Sequence, residues 1–228
     1  MIDKRVGSLA AALAGIADEA TVMVGGFGSV GQPDALIEAL IEQGARALTI
    51  IANNTGSGRT GLARLMEAGR VRRIICSYPR SAGSVVFEEL FRAGRIELEV
   101  VPQGTLAERI RAAGAGIGAF YTPTGFGTRL SEGKETREIG GRQHVLEYAL
   151  HADVALIEAW RSDRWGNCVY RESGRNFNAV MAAAAALTIV QTCHLAELGD
   201  LDPEAIATPG IFVNRVVHVP DGIAGAAS

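Results

Sequence analysis

A strand, a tight turn and a helix follow one another in the stretch 96–116, and this unit constrains the fold more than any other feature. The sequence predicts a strand over 96–101, followed by a Pro-Gln-Gly turn. Thr105 and Glu108 have the spacing of a capping box, which predicts that the helix begins at Thr105. The Gly-Ala-Gly run at 114–116 then ends the helix.

Gln103 therefore lies beyond the carboxyl end of a strand and just before the amino end of a helix. Open α/β sheets bind their ligands at this edge, because free N–H groups and the helix dipole converge there. Six glycines over 104–127 accompany Phe120, Tyr121 and Phe126. This composition predicts a site where the backbone approaches a ligand closely beside aromatic side chains. The alternative is an ordinary loop with a glutamine in its turn.

Strand and helix signals alternate along the rest of the chain. The predicted strands cover 21–24, 47–52, 71–76, 153–159, 187–192 and 211–219. The predicted helices cover 34–43, 85–92 and 176–186. A further helix is predicted at the start of the chain by an apolar stripe of Val6, Leu9, Leu13 and Ile16. Repeated βα units with short connections predict an α/β fold, with a mostly parallel open sheet flanked by helices. The charged, glycine-bearing stretch 129–142 predicts an exposed hairpin or excursion.

Length and composition predict one domain. The chain has 228 residues, of which 48% are hydrophobic, enough to bury one substantial core. We expect this domain to span 1–220, with a disordered tail over 221–228. The net charge is −3, which argues against nucleic-acid binding. No run approaches 18 apolar residues, so no membrane span is expected.

The cysteines and histidines predict neither disulfides nor a metal site. Cys76, Cys168 and Cys193 are odd in number and lack C-x-x-C spacing, which favours a reducing, cytoplasmic setting. The four histidines form no H-E-x-x-H pattern, so no metal is expected.

The glycine cluster at 26–31, GFGSVG, fits the G-x-G-x-x-G pattern of dinucleotide-binding folds. It lies between a predicted strand and a predicted helix. Two features weaken that interpretation. Pro33 delays the helix start. Asn53 and Asn54 stand near the position where an acidic residue would bind a ribose. A nicotinamide-dependent dehydrogenase nevertheless stays open as an alternative function at this point.

Several long blocks resemble one enzyme family. In chain order they are TVMVGGFGSVGQP, VPQGTLAERIRAAGAGIGAFYTPTGFGT, GKETRE, AWRSDRWGN and GRNFN. Together they resemble the α subunit of the family I (3-oxoacid) CoA-transferases, from about Val6 to Val219. Within the family the resemblance is strongest to the 3-oxoadipate CoA-transferases. The acetate/acetoacetate and succinyl-CoA:acetoacetate enzymes follow. The resemblance implies the fold of a CoA-transferase α subunit.

The resemblance also implies a reaction. The family moves CoA between carboxylic acids by a ping-pong route, here from succinyl-CoA to a 3-oxo acid, with 3-oxoadipate as the best-matching acceptor. A glutamate attacks the acyl-CoA, an anhydride forms, and a glutamyl-CoA thioester is left on the enzyme. The family carries that glutamate in a Ser-Glu-Asn-Gly motif of the β subunit, whereas this chain has no Glu-Asn pair. Glu158 and Glu172 lack that context.

A separate β subunit is therefore implied as the partner, in an α2β2 assembly. A CoA thioester is implied as substrate, without a permanently bound cofactor. Gln103 matches the glutamine whose side-chain amide the family uses as an oxyanion donor. The other positions that the resemblance implies for substrate or CoA binding are Gly25, Gly26, Phe27, Gly28, Asn53, Asn54 and Gly104.

One departure from the family pattern concerns specificity. Where the family has Ser-Tyr-x-Gly-Glu-Asn, this chain has SYPRSAGS from Ser77 onward. Arg80 enters in this segment, and we expect it to pair with the distal carboxylate of a dicarboxylic substrate. A third class of function stays open, a non-catalytic ligand-sensing domain on a similar α/β fold. No helix-turn-helix signal accompanies it.

Overall fold

The computed structural model describes residues 2–80 and 83–220, where twelve strands and six α-helices are found. The strands are β1 Arg5–Val6, β2 Thr21–Val24, β3 Leu48–Asn54, β4 Val71–Tyr78, β5 Glu97–Val100, β6 Ala119–Thr122, β7 Thr136–Ile139, β8 Arg142–Tyr148, β9 Ala152–Asp163, β10 Cys168–Val169, β11 Ala185–Ala196 and β12 Arg215–His218. The helices are α1 Leu9–Ala12, α2 Asp34–Gln43, α3 Gly61–Glu67, α4 Val85–Arg92, α5 Gln103–Gly114 and α6 Asn178–Ala182.

The main sheet is almost entirely parallel. Its strands lie in the order β1-β12-β11-β9-β2-β3-β4-β5, and only the short β10 pairs antiparallel, with β9. This confirms the predicted open, mostly parallel sheet flanked by helices. A smaller antiparallel sheet, β6-β8-β7, contains the hairpin that the charged stretch 129–142 predicted.

Helices cover both faces of the main sheet. Consecutive strand residues point to opposite faces, so Ile50 and Ile51 of β3 belong to different apolar clusters. Ile50 lies in the cluster that contains Leu36 of α2, and Ile51 lies in the cluster with Leu106 of α5 and Met181 of α6. The sheet is therefore buried on both sides, which is the usual state of parallel sheets.

Two helices have the predicted bounds. α2 covers Asp34–Gln43 and α4 covers Val85–Arg92. Gly44 ends α2 in the left-handed conformation with φ 96°, which costs little without a Cβ. Pro33 is the N-cap of α2, so the proline does set the helix start.

The start predicted for α5 was wrong. The helix begins at Gln103, two residues before Thr105, with Pro102 as its N-cap. Thr105 therefore caps nothing, and its hydroxyl is buried without a hydrogen-bond partner among the described residues. Glu108 pairs instead with Arg111 one turn later, at 2.5 Å. Proline fits the helix entry because its fixed φ suits the first turn and its missing N–H is not needed there.

Other boundaries also differ. The helix predicted over 176–186 is confined to Asn178–Ala182, because Ala185 already pairs with Ala152 as the first residue of β11. The predicted helix at the start is only Leu9–Ala12. The strands β3 and β4 extend two residues further at their carboxyl ends than predicted. The tail predicted over 221–228 lies outside the described residues.

An ion-pair cluster ties α5 to β4 and β5, the last two strands in the order of the main sheet. Glu99 of β5 contacts Arg73 of β4 at 2.5 Å and Arg109 of α5 at 2.9 Å. Burial alone would raise the pKa of the Glu99 carboxyl, but the hydrogen bond from Arg109 and the charges of both arginines lower it. Arg109 also donates to the carbonyl of Tyr148 at 2.8 Å, which joins the small sheet to the same helix. The middle of α5 is thereby tied to both sheets.

Candidate functional site

The predicted site residues follow the carboxyl ends of neighbouring parallel strands. Residues 25–28 follow β2, Asn53 lies near the end of β3, and Ser77 lies near the end of β4. Gln103 comes shortly after β5. Because β2, β3, β4 and β5 are adjacent and parallel, these residues share one edge of the sheet. Ligands bind to open α/β sheets at this edge.

Two polar side chains are hydrogen-bonded to Asn53 of β3 at this edge, Ser77 of β4 and Gln103 at the start of α5. Gln103 Nε2 donates to Asn53 Oδ1 at 2.8 Å, and Ser77 Oγ donates to the same oxygen at 2.6 Å. Asn53 is buried, with 3% of its surface exposed, whereas Gln103 is exposed. A buried asparagine thus holds the amide of an exposed glutamine, whose second N–H remains available to a ligand.

The helix that carries Gln103 adds to the polar character of this position. The first hydrogen bond of α5 runs from Leu106 N to Pro102 O, so the preceding backbone amides point out of the helix. They carry the positive end of the helix dipole, which favours a developing negative charge. Gly104 is exposed there, and no atom lies within 4 Å of the position that a Cβ would take.

The glycine cluster after β2 is held by the protein's own groups. Gly25 N donates to Leu156 O at 3.0 Å, and Gly26 N donates to Asn176 Oδ1 at 3.1 Å. Phe27 and Val30 exchange backbone hydrogen bonds across a tight turn. These amides are therefore occupied, and the geometry gives no support for a pyrophosphate cradle. The turn projects the Phe27 side chain, which is 50% exposed.

Asn178 fixes the same loop from the other side, a role that the sequence interpretation did not assign. Its Nδ2 donates to Gly31 O at 2.8 Å and its Oδ1 accepts from Glu158 N at 3.0 Å. A Cβ on Gly25 would lie 1.8 Å from that Oδ1. Asn178 is fully buried. The only sequence signal for Asn176 and Asn178 was their occurrence in the GRNFN block.

Two other predicted site residues differ in their surroundings. Asn54 Oδ1 accepts from Gly56 N at 2.8 Å, so this side chain closes a turn rather than joining the cluster of Gln103. It points to the face opposite Asn53, as consecutive strand residues do. Arg80 is exposed two residues beyond the end of β4, and it forms no hydrogen bond or ion pair with any residue in 2–80 or 83–220.

Glu158 and Glu172 have the settings of structural carboxylates. Burial raises the pKa of Glu158 to about 7, and the charge of Asp34 raises it further. A hydrogen bond from Gln191 Nε2, at 2.7 Å, lowers the pKa and offsets part of this increase. Burial therefore favours the neutral form of the Glu158 carboxyl, which is a weaker nucleophile than the carboxylate. Glu172 is exposed in a short 3₁₀ turn and lies 3.7 Å from Arg171.

Sequence comparison decides the family. The family model described as Coenzyme A transferase matches residues 6–219. This chain belongs to the coenzyme A transferase family. The family membership confirms the expected enzyme class, and it leaves no support for the dehydrogenase or ligand-sensing alternatives.

Coenzyme A transferases of named specificity are similar over nearly the whole chain. The A subunit of the 3-oxoadipate CoA-transferase of Pseudomonas putida is 61% identical over 226 residues, covering 99% of this chain and 98% of that protein. The A subunit of the succinyl-CoA:3-ketoacid coenzyme A transferase of Xanthomonas campestris is 50% identical over 215 residues. The match covers 94% of this chain and 88% of that protein.

Solved coenzyme A transferase structures have the same fold. An acyl-CoA transferase of Escherichia coli O157:H7, solved as a thioester complex with CoA, superposes with a TM-score of 0.86 at 24% identity. The match covers 99% of this chain and 52% of that one, so this chain spans about half of the larger protein. Glutaconate coenzyme A-transferase from Acidaminococcus fermentans gives a TM-score of 0.84 at 23% identity, covering 96% and 76%.

No helix within residues 2–80 and 83–220 is long and apolar enough to cross a membrane. The same residues contain no group of three or more His, Cys, Asp or Glu side chains placed to hold a metal ion. The three cysteines are free and buried, and burial raises the pKa of Cys76 to about 12 and that of Cys168 to about 12.

Proposed function

We propose that this chain is the α subunit of a CoA-transferase that moves CoA from succinyl-CoA to a 3-oxo acid, with 3-oxoadipate as the acceptor. Two relatives named as A subunits of 3-oxoadipate CoA-transferases, at 61% and 57% identity over nearly their full length, support this acceptor. The CoA thioester is the substrate, and the reaction needs no permanently bound cofactor. The three free cysteines fit a cytoplasmic location.

The hydrogen-bonded pair of Gln103 and Asn53 carries the proposal. Attack on a thioester places negative charge on its carbonyl oxygen, and a fixed amide donor stabilises that charge. Gln103 offers such a donor at the amino end of a helix, where the dipole acts in the same direction. Gly25, Gly26, Phe27, Gly28 and Gly104 would surround the acyl group from the same edge of the sheet.

The nucleophile is proposed to come from a β subunit. Glu158 is hydrogen-bonded to Gln191, and Glu172 is an exposed carboxylate beside Arg171. The naming of the relatives as A subunits supports a second chain. A glutamate of the β subunit would attack the carbonyl of succinyl-CoA, giving a mixed anhydride and the CoA thiolate. The thiolate would then attack the glutamyl carbonyl of the anhydride, forming the glutamyl-CoA thioester and releasing succinate. We expect an α2β2 complex with an obligate interface of roughly 2,000–5,000 Å².

Co-expression with a candidate β subunit tests this function. The purified complex is assayed for CoA transfer from succinyl-CoA to 3-oxoadipate, acetoacetate and acetate, beside each chain alone. We expect transfer only with the complex and the highest kcat/KM for 3-oxoadipate. Higher kcat/KM for acetate would overturn the proposed acceptor. Transfer by this chain alone at the rate of the complex would overturn the division between subunits.

Arg80 is proposed to select dicarboxylic acceptors. It is exposed at the carboxyl end of β4 and unpaired among the described residues, so its guanidinium can bind a second carboxylate. The variant Arg80→Ala should lower kcat/KM for 3-oxoadipate about tenfold, the effect of losing one charge-assisted contact, and leave that for acetoacetate nearly unchanged. Arg72→Ala, an exposed arginine at the opposite end of β4, is the matched control. Equal losses for both acceptors would contradict this role.

A further inference from the structure

The hydroxyl of Ser77 lies between two oxygens of Asn53. Its Oγ is 2.6 Å from Asn53 Oδ1 and 3.0 Å from the main-chain carbonyl oxygen of the same residue. A hydroxyl has a single proton, so the shorter and the longer contact compete for it. Which oxygen receives the proton decides which way the amide of Asn53 faces.

Two arrangements satisfy all three side chains. In the first, Ser77 donates to Asn53 Oδ1, and Gln103 Nε2 donates to the same oxygen. In the second, both amides are turned over, Ser77 donates to the main-chain carbonyl, and Asn53 Nδ2 donates to Ser77 Oγ and to Gln103 Oε1. The two arrangements differ in which atom of the Gln103 amide, Nε2 or Oε1, lies next to Asn53.

The contact distances favour the first arrangement. An O–H···O bond is commonly 2.5–3.0 Å long, whereas N–H···O bonds are rarely shorter than 2.7 Å. The distance of 2.6 Å between Ser77 Oγ and Asn53 Oδ1 therefore fits a hydroxyl donor. The 2.8 Å between Gln103 Nε2 and Asn53 Oδ1 fits an amide donor. Nε2 of Gln103 then lies next to Asn53 with its second N–H free, whereas the turned-over amide would place Oε1 at that position.

We propose that Ser77 is a positioning residue for the transfer reaction: its hydroxyl fixes the Asn53 amide, which in turn holds Gln103 with its N–H toward the thioester oxygen. This inference rests on the proposed function. Without the hydroxyl, Asn53 is free to turn over, and Oε1 of Gln103 can then replace Nε2 at the position next to Asn53, where the negative charge develops. Ser77 itself touches neither substrate nor CoA in this account.

A double-mutant cycle in the reconstituted complex tests the proposal. Ser77→Ala should lower kcat about tenfold with little change in KM, which is the upper end for the loss of one ordinary hydrogen bond and less than the loss of an oxyanion donor. Ser77→Thr keeps the hydroxyl and should restore kcat. In a Gln103→Ala background, Ser77→Ala should cost less than about twofold, because the two residues act as one unit. An equal loss in both backgrounds would overturn the proposal.

A second readout does not depend on CoA transfer. In the ¹⁵N-labelled full chain, the side-chain amide signals of Gln103 are assigned by their absence in Gln103→Ala. Ser77→Ala should shift them, and Ser77→Thr should leave them near their original positions. Unchanged signals in Ser77→Ala would overturn the positioning role. If the reconstituted wild-type complex shows no CoA transfer, the proposed function fails, whereas this spectrum still decides whether Ser77 orients Gln103.

Discussion

Gln103 and Asn53 lie 50 positions apart in the sequence, yet the amide of the first donates to the side-chain oxygen of the second at 2.8 Å. Gln103 is the first residue of helix α5, which follows β5, and Asn53 is in β3, two strands away from β5 in the sheet. The parallel arrangement brings them to one edge. The exposed glutamine is therefore held by a buried partner before the substrate arrives, so less side-chain freedom is lost on binding.

Replacing Gln103 tests its role as an oxyanion donor. In the complex with the β subunit, Gln103→Ala should lower kcat by about 10²–10³, the effect of losing one such donor. KM should change much less, because the interaction strengthens as charge develops on the oxygen. Steady-state kinetics with succinyl-CoA measures both. An increase in KM with unchanged kcat would assign Gln103 to ground-state binding instead.

Replacing Gly104 by alanine should affect stability and activity in opposite directions. No atom lies within 4 Å of the position that an added methyl group would take there, and the residue belongs to the first turn of α5. Gly104→Ala should stabilise the chain by up to about 1 kcal/mol in urea unfolding, since alanine favours the helix. The same change should lower kcat/KM about tenfold or more if the thioester approaches this backbone closely. Full activity in the more stable variant would contradict that approach.

The glycine after β2 is required by packing. A Cβ on Gly25 would lie 1.8 Å from Asn178 Oδ1, which also accepts the backbone N–H of Glu158. Gly25→Ala should therefore destabilise the fold by about 2 kcal/mol or more in urea unfolding. Gly7→Ala is the control, because no atom lies within 4 Å of its Cβ position, and it should change stability by less than about 0.5 kcal/mol. Equal effects of the two substitutions would contradict the clash.

Glu158 should make stability depend on pH. Burial raises its pKa to about 7 in the folded chain from an ordinary value of 4.5, so the folded state binds the proton more tightly than the unfolded state. The stability that the protonated Glu158 contributes to the folded state is fully present below about pH 4.5. It is lost as the pH rises through 7.

Glu158→Gln removes that titration and keeps an acceptor for Gln191. Above pH 7 we expect the free energy of unfolding of the variant to exceed that of the wild type by about 1–2 kcal/mol. This value allows for screening by solvent, because the carboxyl is only partly buried. Below about pH 4.5 the gain should vanish. Urea unfolding of both proteins from pH 4 to pH 8 measures the difference. A constant difference over this range would show that Glu158 is not the titrating group.

The sequence predicted what is encoded locally. The bounds of α2 and α4 were right because each combines an apolar stripe with a glycine that ends it. The helix over 176–186 was overextended, because its alanine-rich end favours a helix locally but pairs with β9 in the sheet. The start of α5 was placed two residues late, because the spacing of Thr105 and Glu108 imitates a capping box.

For the site, Gln103 was found because it follows a strand and opens a helix. The roles of Asn176 and Asn178 were not found, because they bind a loop about 150 residues earlier in the chain. Such contacts depend on the order of the strands in the sheet, which no local pattern contains. The pairing of Asn53 with Ser77 and Gln103 was missed for the same reason.

The location of the covalent thioester shows which subunit supplies the nucleophile. The reconstituted complex is incubated with succinyl-CoA alone, the intermediate is trapped, and mass spectrometry identifies which polypeptide carries CoA. We predict that CoA is attached to a glutamate of the β subunit, while this chain stays unmodified. A CoA thioester on Glu158, or on any other carboxylate of this chain, would contradict the assignment of the nucleophile to the β subunit.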